Sequence, residues 1–401
     1  MSGKKLYVVS GSAYNARANV LATRMGEFDQ SVLVWPERDV PDHPKLKTKM
    51  LPNPLAVLRK IGMSGLKERL DRYLLFPSRE VLFTWAFQRS LVRQIKQDML
   101  TGTLVTVVIT APPHALSLLG RYLKKRVPQI RLVIDWQDLW SYDTFYLERT
   151  PRLYHNRLYR LEREAMEVAD VNVVTNYKAG EILVGHLGVP QNKVVSINHH
   201  FFEDDDVAGP PEQALELSAK ALNVAFLGTM FKAEKVPGLA VLQALDEAAG
   251  QGVPITLHLI GDTSGEAQTH ASTLNHCTIK EYPRVPHVEA LRQIKTCDVL
   301  LLVLAELSNS NVIMHAKLPH YFQVQKPIVA MVPDQSFVAE VIEQTQTGVV
   351  LGDEDCWAEG LADIAASVVQ DNKSFMSESR QVADFGWSHL RKEWLRVLGI
   401  S

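Results

Sequence analysis

The sequence predicts two doubly wound α/β domains in series, each built on a parallel sheet. Three observations predict it. Apolar runs such as Leu104–Thr110 (LVTVVIT), Val299–Leu304 (VLLLVL) and Ile328–Val332 (IVAMV) lack the alternation of half-exposed strands and suit strands covered on both faces. These runs alternate with helical segments, which is the βα repeat of a parallel sheet. The pattern pauses in a stretch carrying Asp204-Asp205-Asp206 and Gly209-Pro210-Pro211, then restarts, and 401 residues exceed one typical core.

Composition bounds the class. A hydrophobic content of 46% and a mean hydropathy of -0.06 belong to a globular chain. No apolar run approaches the roughly 20 residues of a membrane span. After Lys4 and Lys5 only Leu6 to Val9 are apolar, a first strand and not a signal peptide. Cys277, Cys297 and Cys356 are too few and too scattered for a disulfide framework or a zinc site, so a reducing cytoplasm is expected. The net charge of -2 hides an asymmetry. Residues 1–200 hold 29 Lys and Arg against 18 Asp and Glu, whereas residues 201–401 hold 14 against 27. A basic N-terminal half points to an anionic partner, with a membrane surface or a phosphorylated acceptor both open. Nucleic acid is not expected, because no RNA- or DNA-binding module accompanies the charge.

In chain order, Leu6 to Ser10 is the first strand, followed by the loop Gly11 to Asn15 and a helix from about Arg17 to Met25. Ser31 to Trp35 is the second strand. Prolines at 41, 44, 52 and 54 predict a loop over 41–54. Leu58, Ile61, Leu66, Leu70 and Leu74 then recur near helical spacing among Arg59, Lys60, Lys67, Arg69 and Arg72. That segment fits an amphipathic element on anionic lipid or a surface helix with a solvated face. The strand 104–110 runs into Ala111-Pro112-Pro113-His114 and a helix closing on Arg121, Lys124, Lys125 and Arg126. Strand Arg131 to Ile134 leads directly into Asp135-Trp136-Gln137-Asp138-Leu139-Trp140. Ligands of open parallel sheets lie off the carboxyl ends of strands, so Asp138 is the candidate for chemistry in this half; capping the next helix is the structural alternative. Helices over 153–169 and 179–187 and strands over 171–175 and 194–198 complete the first domain.

The second half repeats the pattern. Strand Asn223–Leu227 ends at Gly228-Thr229, and strand Ile255–Ile260 ends at Gly261-Asp262, glycines that let a ligand approach the backbone. A short strand over 278–281 precedes Tyr282-Pro283-Arg284-Val285-Pro286 and a helix over 288–295. Between the strands at 299–304 and 328–332 lies a polar loop with Asn309, Ser310 and Asn311, then Lys317 at the mouth of a short helix whose first turn holds Pro319. Backbone amides with one lysine beside them make an anion site, and an ordinary strand-to-helix turn reads the same way. A helix over 337–345, a strand over 348–351 and a last helix with Trp387, Leu390, Trp394 and Leu398 on one face follow.

Several stretches, in order over nearly the whole chain, resemble the two-domain B-fold (GT-B) glycosyltransferases, particularly family 4. TAPPHALSLLGRYLKKRVP followed by VIDWQDLW resembles a branch reading "PPHS…DFRDPW", and LEREAMEVADVNVVT resembles the helix and strand after it. FLGTMFKAEKVPGL resembles the first strand and phosphate loop of the nucleotide-sugar domain, AKLPHYFQVQKPIVAMVP resembles "GKLFEYLAAGKPILA", and FGW resembles the start of the closing helix. A second likeness is to the xanthan-type glucuronosyltransferases. Their "SDGLS" resembles Gln137 to Ser141, with the aspartate as base, and their "GSMLFD" resembles Gly228 to Lys232.

The resemblance implies a fold and a function. The N-terminal acceptor-binding domain would span 1–203 with a returning helix at 384–401, the linker 204–220, and the nucleotide-sugar domain 221–383, the two facing across a cleft. The activity would be transfer of a sugar from a nucleotide diphosphate sugar, a UDP-sugar foremost, to a glycan or lipid-linked acceptor, without metal or other cofactor, peripheral to the membrane. The diphosphate would be held by Gly228, Thr229, Lys232, Lys235, Ser310, Asn311, Val312, Ile313 and Lys317. Gly261, Tyr282, Arg284, Val285 and His320 would meet the nucleoside. Gly11, Asn15, His114, Trp136 and Trp140 would meet sugar or acceptor, with Asp138 the catalytic base if configuration inverts, or a sugar or acceptor contact if it is retained. His114 is equally readable as a loop or core histidine. The two Asp-x-Asp spellings, at 204–206 and 353–355, read as solvated surface. Where family 4 places two glutamates, this chain has Val312 and His320, and Thr229 replaces an arginine. These departures motivate the alternative reading, a catalytically silent relative that binds a nucleotide sugar or a partner enzyme.

Overall fold

The computed structural model describes residues 3–11, 15–35, 46–50, 76–77, 80–231, 237–261, 265–369 and 380–400. The chain divides into two units, residues 1–198 with 392–401, and residues 199–391. The segment expected to be an amphipathic or surface helix, 55–75, lies outside the described residues.

In the first unit the strands are β1 (Lys4–Val9), β2 (Gln30–Trp35), β3 (Leu46–Met50), β4 (Leu104–Ala111), β5 (Arg131–Trp136), β6 (Val171–Val174) and β7 (Val194–Ser196). The helices are α1 (Ala16–Arg24), α2 (Glu80–Leu100), α3 (Leu118–Arg126), α4 (Thr144–Arg149), α5 (His155–Val168) and α6 (Tyr177–Gly185). Among the described residues the strands form one parallel sheet in the order β3-β2-β1-β4-β5-β6-β7.

Two elements here correct the sequence reading. Residues 46–50 form the edge strand β3 and not loop, pairing with β2 from Ser31↔Leu46 to Trp35↔Met50. Lysines belong on edge strands, and in LKTKM they mask a short strand signal already swamped by flanking prolines. Helix α2 went unread. Its Phe87, Leu91, Val92 and Ile95 recur at helical spacing and bury against Val9, Val34 and Val107 of the sheet.

In the second unit the strands are β8 (Leu222–Leu227), β9 (Ile255–Ile260), β10 (Cys277–Tyr282), β11 (Val299–Val303), β12 (Ile328–Met331) and β13 (Gly348–Leu351). The helices are α7 (Gly238–Ala249), α8 (Glu266–Ala271), α9 (His287–Lys295), α10 (Leu318–Val324), α11 (Phe337–Thr345) and α12 (Trp357–Val369); α13 (Trp387–Leu398) starts in this unit and ends in the first. The described strands form a parallel sheet in the order β10-β9-β8-β11-β12-β13. Strand β11 shows why its residues are all apolar. Val299, Leu301 and Val303 enter the core shared with α7 and α12, while Leu300 and Leu302 enter the opposite core with α9, α10 and α11.

The stretch expected as a linker is fastened to the second unit. Arg292 pairs with Asp206 at 2.8 Å, Gln213 donates its backbone N–H to Glu289, and Lys280 donates to the Glu216 carbonyl at 2.7 Å. Asp206 and Asp353 serve local turns, accepting from Ala208 N–H and Asp355 N–H. At the end of the chain, Trp387 packs on His200 and Phe202 of the second unit, whereas Trp394 lies under the Arg17 guanidinium of the first, 5.0 Å from ring centre to carbon.

Candidate functional site

In a doubly wound sheet the ligand crevice opens where successive connections leave in opposite directions, off the strand carboxyl ends. In the second unit that switch point lies between β8 and β11. Gly228 follows β8 at φ +87 and Gly261 follows β9 at φ +90, a backbone region that side chains other than glycine's rarely adopt. The two stand together, since a Cβ on Gly261 would lie 3.9 Å from Gly228 Cα. Lys317, delivered by the loop after β11, completes the group. A Cβ on Gly228 would meet its Cε and Nζ at 3.5 Å, and its Nζ sits 4.0 Å from the centre of the Phe226 ring.

Burial pushes Lys317 down to about 8. Among the described residues no carboxylate pairs with it, so a half-buried cation faces the open ends of β8 and β9. The Phe226 face supplies partial compensation of the cation–π kind. Thr229 follows Gly228 directly and is half-buried. Lys232 and Lys235, expected to assist, lie outside the described residues.

The loop amides correct one expectation. Residues 310–312 form a 3₁₀ turn in which Ser310 N–H donates to Leu307 O, Val312 N–H to Asn309 O and Ile313 N–H to Ser310 O, at 3.0, 3.1 and 3.3 Å. Three of the four amides assigned to a diphosphate are therefore used by the turn itself, because a 3₁₀ turn directs them inward. Asn311 remains, and its side-chain Oδ1 is buried without a partner among the described residues. His320, expected to meet the nucleoside, is held neutral by its surroundings. Burial, then the charges of His287 and His200, push it down to about 3, so it stays neutral where an exposed histidine would titrate. Its ring meets that of His287 at 4.4 Å, edge to face. Tyr282 turns its hydroxyl away to accept from Glu216 N–H at 3.0 Å and to contact His258, leaving its backbone oxygen to take the Gly261 N–H. Arg284 is exposed in the following loop, and Val285 packs on the core.

In the first unit the switch point lies between β1 and β4. Gly11 ends β1 against Pro113 after β4; a Cβ there would fall 2.1 Å from Pro113 Cδ, so any side chain would drive the two loops apart. Asn15 caps α1 through Ala18 N–H at 2.9 Å and also accepts from Gln137 Nε2 at 3.2 Å. Gly11, Asn15 and the Gln137-Asp138 loop are thereby brought to one end of the sheet. Asp138 is half-exposed, and its carboxylate makes no hydrogen bond or ion pair with the described residues, which leaves it available.

Three residues expected to touch sugar or acceptor are interior. Trp136 is 1% exposed and donates its indole N–H to Asn172 Oδ1 at 3.0 Å. Trp140 is 0% exposed and stacks on His114, itself 4% exposed and 3.7 Å from Asp143. Adjacency to a strand end placed them in the loop, but large rings there are worth more as core.

The sequence reading missed a buried ion pair and a buried carboxylate. Arg17 pairs with Asp135 at 2.9 Å and donates to the carbonyls of Ile197 and Asn198. Burial raises the Asp135 carboxyl, against the pull of Arg17. Glu162 of α5 accepts from Trp140 N–H and Ser141 N–H. Its signal was present: Glu162 stands four residues from Leu158 on the helix face that also carries Ala165 and Met166, where charge needs an explanation.

No family model matches the sequence, and no curated protein matches it. Solved structures do match. HepE of Anabaena, determined with UDP-glucose, gives a TM-score of 0.64 at 12% identity, covering 98% of this chain and 99% of that one. A UDP-forming trehalose-phosphate synthase of Burkholderia xenovorans gives 0.66 at 13% identity, covering 100% and 99%. WaaG, a glycosyltransferase involved in lipopolysaccharide biosynthesis, gives 0.65 at 11% identity, covering 99% and 100%. The chain therefore has the two-domain α/β fold of GT-B glycosyltransferases.

Proposed function

We propose that this protein is a glycosyltransferase, of the family-4 or xanthan-type kind, that moves a hexose from a nucleotide diphosphate sugar to an acceptor hydroxyl. One observation carries the reading: the Lys317 ammonium, which has no carboxylate partner among the described residues, stands beside Gly228 and Gly261, at the switch point of the second unit. The neighbours of like fold that were determined with UDP-glucose or with UDP and glucose support a uridine nucleotide. In the reaction the bond from sugar C1 to the diphosphate oxygen breaks, and its electron pair leaves on the diphosphate. Lys317 and the glycine loops stabilise that charge. The acceptor oxygen bonds to C1, and its proton passes to Asp138 if configuration inverts. No protein-supplied metal enters this scheme.

A thermal-shift screen over nucleoside diphosphates and their sugars tests the reading. At a hundredfold excess over Kd, a bound ligand adds about 2.7 kcal/mol, which is a rise of several degrees in Tm. UDP is expected to produce it. No shift with any nucleotide sinks the proposal.

Val312 and His320 favour a second reading, binding without turnover. Val312 is buried in its turn and His320 is neutral, so neither replaces a carboxylate. A shift with UDP but no transfer or hydrolysis of any donor selects it.

The acceptor we propose is lipid-linked or envelope glycan, reached from an anionic membrane face. Trp85, 70% exposed, is followed on α2 by exposed Arg89, Arg93 and Lys96 at four- and three-residue spacing, a stripe of one aromatic and three cations. No described helix is long and apolar enough to cross a membrane. The protein is expected to sediment with anionic vesicles and be released by salt, each basic residue at the surface contributing about 1 kcal/mol. Equal recovery on neutral vesicles removes this part.

A further inference from the structure

The loop that carries Asp138 is irregular, yet it is fixed on both sides of that residue. Before it, Gln137 N–H donates to Ala111 O at 2.7 Å, and its side chain reaches Asn15 and Asp135 at 3.2 and 3.3 Å. After it, Trp140 N–H and Ser141 N–H donate to separate oxygens of Glu162, at 2.5 and 2.9 Å. Glu162 is 0% exposed, on a helix face otherwise built of Leu158, Ala165 and Met166. A carboxylate buried there without partners would be costly. Burial raises its pKa, opposed by its hydrogen bonds to Ser141, the charge of His114 and the Trp140 amide.

We propose that Glu162 is the positioning residue for Asp138: its two oxygens, each taking one backbone N–H, set the path of residues 138–141 and hence where the Asp138 carboxylate stands. The inference rests on Asp138 acting as base in the proposed transfer. The chemistry requires a carboxylate, because only that group accepts at both oxygens. A carboxamide in the same rotamer turns an NH₂ toward one of the two N–H groups and leaves it unpaired. An apolar residue of equal size would satisfy the packing of α5 and leave both unpaired. His114, 3.7 Å from Asp143, backs the same loop one turn further on.

The test uses the full chain and two readouts. Hydrogen exchange is followed in wild type, Glu162→Gln, Ser141→Pro, which removes that residue's backbone N–H and hydroxyl donors from the other end, and Leu158→Ala as a packing control. Exchange at 138–142 is expected to quicken roughly tenfold in Glu162→Gln, the weight of about one buried hydrogen bond, with the second unit unchanged. Ser141→Pro should loosen the same segment even if Glu162→Gln folds poorly, and Leu158→Ala should lower Tm without that selectivity. Unchanged exchange at 138–142 in both loop variants overturns the inference.

Turnover with UDP-glucose as probe, including its hydrolysis, supplies the second readout. A fall in kcat with an unchanged donor KM in Glu162→Gln supports positioning. Loss of turnover in Asp138→Asn with full kcat in Glu162→Gln overturns it. Wild-type turnover in Asp138→Asn instead removes Asp138 from the proposed function, and the inference with it. If wild type does not turn over UDP-glucose, the exchange result alone decides whether Glu162 sets the loop.

Discussion

Replacing Lys317 with alanine is expected to lower turnover of a nucleotide diphosphate sugar by roughly 10²–10³, the usual weight of one fixed donor facing a developing negative charge. The variant should still fold, because the wild-type ammonium gains no carboxylate partner from the described residues and is destabilised by burial. The pH dependence gives the same residue a second signature. The charged form binds the diphosphate and predominates below about 8, so affinity for UDP should fall as pH rises through that value. Stability of the unliganded protein moves the other way. Between about 8 and the ordinary 10.5 the unfolded chain keeps the proton that the folded chain has released, so the fold gains stability with rising pH. Calorimetric titration with UDP checks the first sign and thermal unfolding without ligand the second, each at pH 7 and pH 9 on wild type and Lys317→Ala. A wild-type affinity as strong at pH 9 as at pH 7 removes Lys317 from the donor site.

Asp138→Asn is the second large effect. A positioned general base contributes roughly 10²–10⁴ to rate, and an asparagine keeps the shape while losing the basic oxygen. The carboxylate has no partner among the described residues, so the substitution should leave Tm within a degree or two. UDP binding should be unchanged, since the glycine loops and Lys317 belong to the other unit. A transfer rate at the wild-type level would show that the proton goes elsewhere or that configuration is retained without a base.

Much of the architecture was legible because parallel strands buried on both faces have a plain signature. The runs at 104–110, 299–304 and 328–332 became β4, β11 and β12 within a residue or two. Strand β3 was hidden because edge strands tolerate lysine, and α4 because six residues carry too little periodicity to stand out. Helices α2 and α12 were legible and unread: Phe87, Leu91 and Ile95, and Trp357, Leu361 and Ile364, repeat every three or four residues.

The candidate site was legible where glycine or lysine stands at a strand end, because those residue types answer backbone geometry directly. Gly228, Gly261 and Lys317 were named and do come together. It was illegible where a side chain's direction decides its role. Trp136 and Trp140 look alike in sequence whether they face a crevice or a core, and here they face the core. Arg17 and Asp135 lie 118 positions apart, and no periodicity links them.

The division of the first unit into residues 1–198 and 392–401 has a consequence during synthesis. Domains commonly fold in order as the ribosome releases them. Here the indole of Trp394 that covers the Arg17 guanidinium, and the Val397 and Leu398 carbonyls that accept from Arg131 and Thr106, emerge only after all of the second unit. The half of the protein that is translated first is the last to be sealed.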